Sequence, residues 1–245
     1  MSAAVPMAPI LDVSGLSKSF RGLKAIQNVS LVVPQGSICS LIGPNGAGKS
    51  TFFNLLTGYF PPDAGTVRFD GRDITGQAPE AIAQLGIARA FQIAKPFPGM
   101  SVRENVRIGA LFGRSGRRDV EAETDNALRL AGLVPLHERE ARELTVGQLR
   151  RLEVARALAA RPSLLLADEP CAGLNPTETA EMVDILRRIR AAGATVLLVE
   201  HDMSAVMTVS DQVMVLEAGV LIAQGTPAEV TQDQRVIAAY LGTEE

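Results

Sequence analysis

GPNGAGKST, residues 43–51, is the stretch on which the fold of this chain turns. It matches G-x-x-x-x-G-K-[ST], with Gly43, Gly48, Lys49 and Ser50 at the fixed positions. SICSLI (37–42) just before it is short, apolar and β-prone, while TFFNLLTG (51–58) just after it has helical spacing and a glycine stop. Strand, loop, helix is the context such a loop requires. Gly43, Gly46 and Gly48 let the backbone come close to phosphate oxygens. Pro44, Asn45, Ala47 and Thr51 complete the cradle, and the helix that follows offers the positive end of its dipole to the same anion. Lys49 can bridge the β- and γ-phosphates, and the Ser50 hydroxyl can ligate Mg²⁺. The stretch implies that a nucleoside triphosphate binds here.

Composition bounds the rest. A chain of 245 residues has room for one large α/β domain and a smaller lobe. With 47% hydrophobic and 21% charged residues it can bury a real core and is not a disordered chain. A formal net charge of −3 argues against a dedicated nucleic-acid binder. Cys39 and Cys171 show no metal-ligand spacing, and Cys39, in the strand before the loop, reads as a buried reduced thiol. No segment approaches the ~18 consecutive apolar residues of a membrane span. MSAAVPMAPI lacks the basic start and apolar run of a signal peptide, so residues 1–9 read as a loose tail. If the chain serves a membrane process, another chain must supply the membrane.

Along the chain, residues 10–33 read as two strands joined by a glycine turn, with Phe20 on the connecting loop. An aromatic there can stack on a purine or simply pack. PPDAG (61–65) is a turn, TVRFDG (66–71) an alternating strand, and GIARAFQ (86–92) another strand ending in Gln92. Between Gln92 and Gly147 helical periodicity takes over, as in SVRENVRIGALF and VEAETDNALRLAGL, so this block reads as an inserted helical lobe. Its loop GRSGRR carries Arg114, Arg117 and Arg118, which suit a solvated loop first and a headgroup or partner contact second. LRRLEVARALAARP reads as an amphipathic helix with its arginines outward. SLLLADEP and ATVLLVEHD are continuously apolar strands with polar residues only at their ends, the pattern of central parallel strands. DQVMVLEAGVLIAQG reads as a hairpin turning at Ala218-Gly219, and a helical tail follows.

Ligands of open α/β sheets bind beyond the carboxyl ends of the strands. Three strands here end in groups suited to phosphate chemistry: Gln92, Asp168-Glu169 and His201. Asp168 has the place of a metal-holding aspartate. Glu169 is a second carboxylate within reach of a water lined up on the γ-phosphate, and His201 can bond that water or the phosphate. Each alone has a structural alternative; together with the phosphate loop they form a constellation.

On GPNGAGKST, Gln92 after its Phe, LTVGQ (144–148), LLLADEP, AGLN (172–175) and His201, the whole chain resembles the ATP-binding cassette ATPases. The resemblance implies an α/β fold: a phosphate-loop NTPase (RecA-like) core with an antiparallel β subdomain and an inserted α-helical subdomain. Residues 10–92 and 160–225 would be the core, about 93–159 the helical subdomain and 226–245 a helical tail. It also implies ATP and Mg²⁺ as ligands, with the metal held by Ser50, Gln92 and Asp168. Phe20 would stack on adenine, Glu169 would activate water beside His201, and Gln92 would link the metal site to a transmembrane partner. Thr145, Val146, Gly147 and Gln148 would contact the ATP of a second subunit, and Asn175 would lie on a dimer-interface loop. Two departures stand out: Thr145 and Val146 replace the Ser and first Gly of LSGGQ, and Asn175 stands where aspartate is commonest.

The run GQLRRLEVARALAARPSLLLADEPCAGLNPTET and a YLG ending are similar to the cassette subunit of branched-chain amino acid importers. That subunit would pair with a second cassette (copy or paralogue) and with integral permease subunits at the cytoplasmic face of the membrane. A substrate-binding protein would act indirectly, and no nucleic acid would be involved. A lipopolysaccharide-export-like ATPase and a soluble non-transport cassette are the alternatives. The latter usually carries two cassettes or a long coiled coil, and neither is present. A phosphate-loop GTPase would need N-K-x-D, which does not occur.

Overall fold

The computed structural model describes residues 9–114 and 119–241. Residues 1–8, Arg117 and Arg118 of the basic loop, and Gly242 of the YLG ending lie outside them. A long hairpin opens the chain: β1 (Pro9–Phe20) and β2 (Leu23–Pro34). Its turn residues Arg21 and Gly22 both have positive φ, the geometry that matches strand twist across a two-residue loop. Phe20 is thus the last residue of a strand paired with Leu23 and not a loop residue, and Pro9 is in the strand and not the tail. β4 (Ala64–Phe69) and β5 (Arg72–Asp73) complete an antiparallel sheet of order β2-β1-β4-β5.

The second sheet has the order β10-β9-β3-β8-β7-β6. Its strands are β3 (Ile38–Ile42), β6 (Ile87–Ala90), β7 (Leu164–Asp168), β8 (Thr195–Val199), β9 (Gln212–Glu217) and β10 (Val220–Gly225). All neighbours run parallel except β9 and β10, which form a hairpin. Ala218 and Gly219 make its turn, both at positive φ. The helices are α1 (Lys49–Leu56), α2 (Pro79–Leu85), α3 (Val102–Phe112), α4 (Val120–Leu130), α5 (Val146–Ala159), α6 (Pro176–Ala191), α7 (Met203–Val209), α8 (Pro227–Gln232) and α9 (Gln234–Leu241). Sequence periodicity had not singled out α2, which is one short helix set by Pro79 and closed by Gly86 at φ 113.

The apolar runs of β7 and β8 are explained by burial on both faces. Leu164, Leu166, Leu197 and Val199 face a core shared with α1 and the antiparallel sheet. Leu165, Ala167, Val196 and Leu198 face a second core, made with α3 to α6. Each buried Leu or Phe of this kind contributes roughly 1.5–3 kcal/mol. The helical insertion therefore has no separate core: Val102, Val106, Ala127 and Leu128 join the same cluster as the sheet.

That arrangement corrects the picture of α5 as a helix with one apolar face. Leu152, Val154, Ala155, Ala157, Leu158 and even Glu153 are buried, so most of its circumference is covered. Its arginines do not face out. Arg150 donates to the Ala172 carbonyl at 3.3 Å, Arg151 pairs with Glu181 at 3.3 Å, and Arg156 donates to Glu153 (2.6 Å) and the Lys95 carbonyl (3.0 Å). They tie α5 to the segments around it.

Candidate active site

Because β3, β8, β7 and β6 are parallel neighbours, their carboxyl ends lie side by side along one edge. In that order the edge carries the phosphate loop, then Glu200-His201, then Asp168-Glu169, then Gln92. Gln92 itself lies two residues past the end of β6. Adjacent strands are about 4.8 Å apart, so residues distant in sequence meet here.

An open cleft of about 640 Å³ runs along the loop, lined among others by Phe20, Asn45, Gly46, Lys49, Glu169 and His201. Gly48, Ser50, Thr51 and Ala47 also line it. Gly43 must be glycine: its φ is 152°, and a Cβ would sit 2.0 Å from the Leu216 carbonyl oxygen. Gly46 (φ 79°) has nothing within 4 Å of a Cβ position, which leaves loop backbone facing open space. Lys49 is buried and folds back onto the loop, donating to the carbonyls of Gly43 (2.6 Å) and Pro44 (3.0 Å). Burial pushes its ammonium below the ordinary lysine value, while Glu169 and Asp168 push it back up.

The fit to a phosphate chain is visible at α1. Six other helices have a Ser, Thr, Asn or Asp side chain accepting from the first turn. The cap of α1 is Gly48, with no side-chain bond and no acidic residue in the first turn. With no capping side chain among the described residues, the N–H groups and positive dipole end of this first turn suit an anion such as phosphate.

Glu169 is held at both oxygens. Gln92 Nε2 donates to Oε2, and His201 Nε2 lies 3.1 Å from Oε1. A carboxylate only accepts, so Nε2 is the donor in that pair. The backbone of Glu169 has φ 49°, a left-handed conformation rare for a non-glycine residue, and its N–H bonds the Val199 carbonyl at 2.8 Å. Such a conformation costs about 1–3 kcal/mol and needs a surrounding structure that holds it.

Ser50, Gln92 and Asp168 share an adjoining groove of about 540 Å³. Among the described residues there is no cluster of three His, Cys, Asp or Glu side chains able to hold a metal. One carboxylate, one hydroxyl and one amide oxygen nevertheless suit Mg²⁺, a cation that keeps waters and takes phosphate oxygens rather than an all-protein cage.

The remaining predicted residues stand elsewhere. None of Thr145, Val146, Gly147, Gln148 and Asn175 lines the cleft or the groove. Thr145 caps α5 in a capping box with Gln148, and Asn175 caps α6 in another with Glu178. Val146 is exposed (56%), whereas Gly147 is buried, with a Cβ there only 2.6 Å from Glu178 Oε1. Gly147 thus leaves room for the Glu178 side chain beside the start of α5. Phe20 sits at the cleft in edge contact with Phe60, centroids 5.1 Å apart, so it both lines the cleft and packs.

Four contributions escaped the sequence. Glu200 is 2% exposed, and its carboxylate accepts from the backbone N–H groups of Cys171 (2.6 Å) and His201 (3.0 Å), tying the loop after β7 to that after β8. Arg89 pairs with Asp168. The Gly219 N–H donates to the Ala47 carbonyl at 2.9 Å, docking the β9–β10 turn on the phosphate loop. The Tyr240 phenol oxygen accepts from the Gly43 N–H. Glu200 next to a histidine at a strand end was a signal, but the other three depend on long-range packing.

A sequence profile described as "ABC transporter" matches residues 26–172, more than half of the chain. The chain belongs to the ABC transporter family. A second profile, "Branched-chain amino acid ATP-binding cassette transporter", matches residues 220–245. The high-affinity branched-chain amino acid transport ATP-binding protein BraF of Pseudomonas aeruginosa is 41% identical, over 96% of this chain and 98% of its own. The corresponding LivG of Escherichia coli is 40% identical with the same coverage. The crystal structure of the ADP conformation of MJ1267, an ATP-binding cassette of an ABC transporter, superposes with a TM-score of 0.87 at 32% identity, covering 96% of this chain and all of that one. The α/β cassette fold is thereby shown.

Proposed function

We propose that this protein is the ATP-hydrolysing subunit that energises a membrane importer of branched-chain amino acids. The observation that carries the catalytic half is Glu169, held at one oxygen by His201 and at the other by Gln92, on the strand edge beside Lys49. Glu169 takes a proton from the attacking water, and His201 and Gln92 keep it aimed. Lys49 neutralises phosphate charge, and Phe20 offers a ring face to adenine. Ser50 and Asp168, with Gln92 in the same groove, would hold Mg²⁺, which supplies charge neutralisation at the phosphates. Thr145, Val146, Gly147, Gln148 and Asn175 lie away from the chain's own cleft, which supports their meeting the ATP of a second cassette, copy or paralogue.

The transported class rests on the tail profile over 220–245 and on the relatives BraF and LivG. Among the described residues no helix is long and apolar enough to cross a membrane. Integral permease subunits would supply that, with this chain peripheral on the cytoplasmic face and a substrate-binding protein acting upstream. Exposed Tyr59, Phe91 and Ile93 beside Gln92 are suited to the permease contact. Deleting the protein should abolish high-affinity uptake of leucine, isoleucine and valine, measured with labelled amino acids. Normal uptake of all three with loss of another solute would reassign the cargo and leave the ATPase reading standing.

A further inference from the structure

We propose that Arg89 is a built-in counter-ion of Asp168, occupying the carboxylate while no divalent cation is there and competing with that cation for it. The inference rests on the reading of Asp168 as a metal ligand. Arg89 lies in β6, opposite Leu166 of β7, so its side chain reaches the end of the strand that carries Asp168. One guanidinium nitrogen, Nη2, pairs with Asp168 Oδ2. The other, Nη1, donates to Asn54 Oδ1 at 2.7 Å. The plane is flanked by Phe53 (5.5 Å) and Phe91 (4.8 Å). Both members of the pair are nearly buried, at 9% and 7% side-chain exposure.

Those contacts join every element of the proposed metal site. Asn54 is one turn beyond Ser50 on α1, Asp168 ends β7, and Phe91 precedes Gln92. Among the described residues the buried Arg89 Nε has no hydrogen-bond partner. Its ion pair is with the carboxylate that the proposed cation needs. A buried carboxylate without a cation is unfavourable, so the metal-free protein needs Arg89. Two cations on one carboxylate repel, so binding of the metal must weaken or displace the Arg89 pair.

The test uses the full-length chain and Mn²⁺ as the probe, titrated by electron paramagnetic resonance with a non-hydrolysable ATP analogue present. Arg89→Gln should bind Mn²⁺ about tenfold more tightly than the parent, and Arg89→Lys, which keeps the charge, should stay near it. Without metal, Arg89→Gln should melt at a lower temperature, and Asp168→Asn added to it should restore part of the loss, a coupling that a double-mutant cycle measures. Equal or weaker Mn²⁺ binding by Arg89→Gln would overturn the proposal, as would a double variant no more stable than Arg89→Gln. If Asp168→Asn alone binds Mn²⁺ as well as the parent, the metal-ligand reading and the competition both fail, whatever the melting cycle says of the ion pair.

Discussion

Glu169 shows how much one side chain depends on its neighbours. It stands in a left-handed backbone conformation, with Gln92 and His201 on its two oxygens. Glu169→Gln keeps the shape and removes the proton acceptor. Nucleotide should still bind while hydrolysis falls roughly 10²-fold or more, read as phosphate release at saturating ATP. Near-normal turnover would remove Glu169 from the chemistry. The cysteines allow a second prediction. Burial raises the Cys39 thiol from 9.0 to about 11, with Ser37 opposing and Asp211 adding to the shift. Burial, with Glu200 and Asp202, moves Cys171 upward as well. A folded value above the unfolded one means stability present in full below pH 9 and lost as pH rises toward 11. Urea midpoints should fall over that range, and less steeply in a Cys39→Ala/Cys171→Ala variant. Parallel falls in both proteins would contradict it.

At the scale of elements, the C-terminal helices bear on the phosphate loop. Val230 and Val236 share a cluster with Ile42, the residue before Gly43, and Tyr240 packs against it. The Gly43 N–H then donates to the phenol, whose own titration burial pushes upward. Tyr240→Phe deletes only that oxygen. A lost hydrogen bond of this kind is worth about 0.5–1.5 kcal/mol, so ADP affinity by calorimetry should drop about two- to tenfold. Unchanged affinity would show that the tail packs without setting the loop. The α5 helix carries the complementary lesson. Its run of leucines, alanines and arginines reads as one apolar face, yet it is covered nearly all round because α3, α4 and the sheet edge close over it. Local periodicity reports one face; the number of neighbours is a tertiary fact.

At the scale of the molecule, the cleft and the Thr145 segment are separate surfaces of one chain. If Thr145 serves the ATP of a partner, Thr145→Ala should leave monomer affinity for ATP nearly unchanged. ATP-driven dimerisation and turnover should fall by about one to two decades, the value of one donor to a charged phosphate. Thr145 also caps α5, and losing a cap costs about 0.5–2 kcal/mol. Thr145→Ser, which keeps both hydroxyl roles, should therefore behave like the parent. Sedimentation with a non-hydrolysable analogue and titration at low protein concentration separate the two effects. A drop in monomer affinity as large as that of Lys49→Ala would place Thr145 on its own nucleotide and end the head-to-tail arrangement for this chain.

The sequence by itself determined the phosphate loop, both flanking elements, the buried parallel strands and the Ala218-Gly219 turn. Each is a local matter: glycine at positive φ, a polar residue closing an apolar run, a lysine and a serine at fixed spacing. It also marked Gln92, Glu169 and His201 as strand-end residues. Only the tertiary structure decided that they touch, because that follows from the order β3-β8-β7-β6, in which strands far apart in the chain become neighbours. The Arg89–Asp168 pair, the Glu200 carboxylate between two loops and the Tyr240 contact with Gly43 have the same origin. A side chain's partner across 30 to 200 residues is chosen by how sheets and helices stack, and no short window of sequence contains that choice.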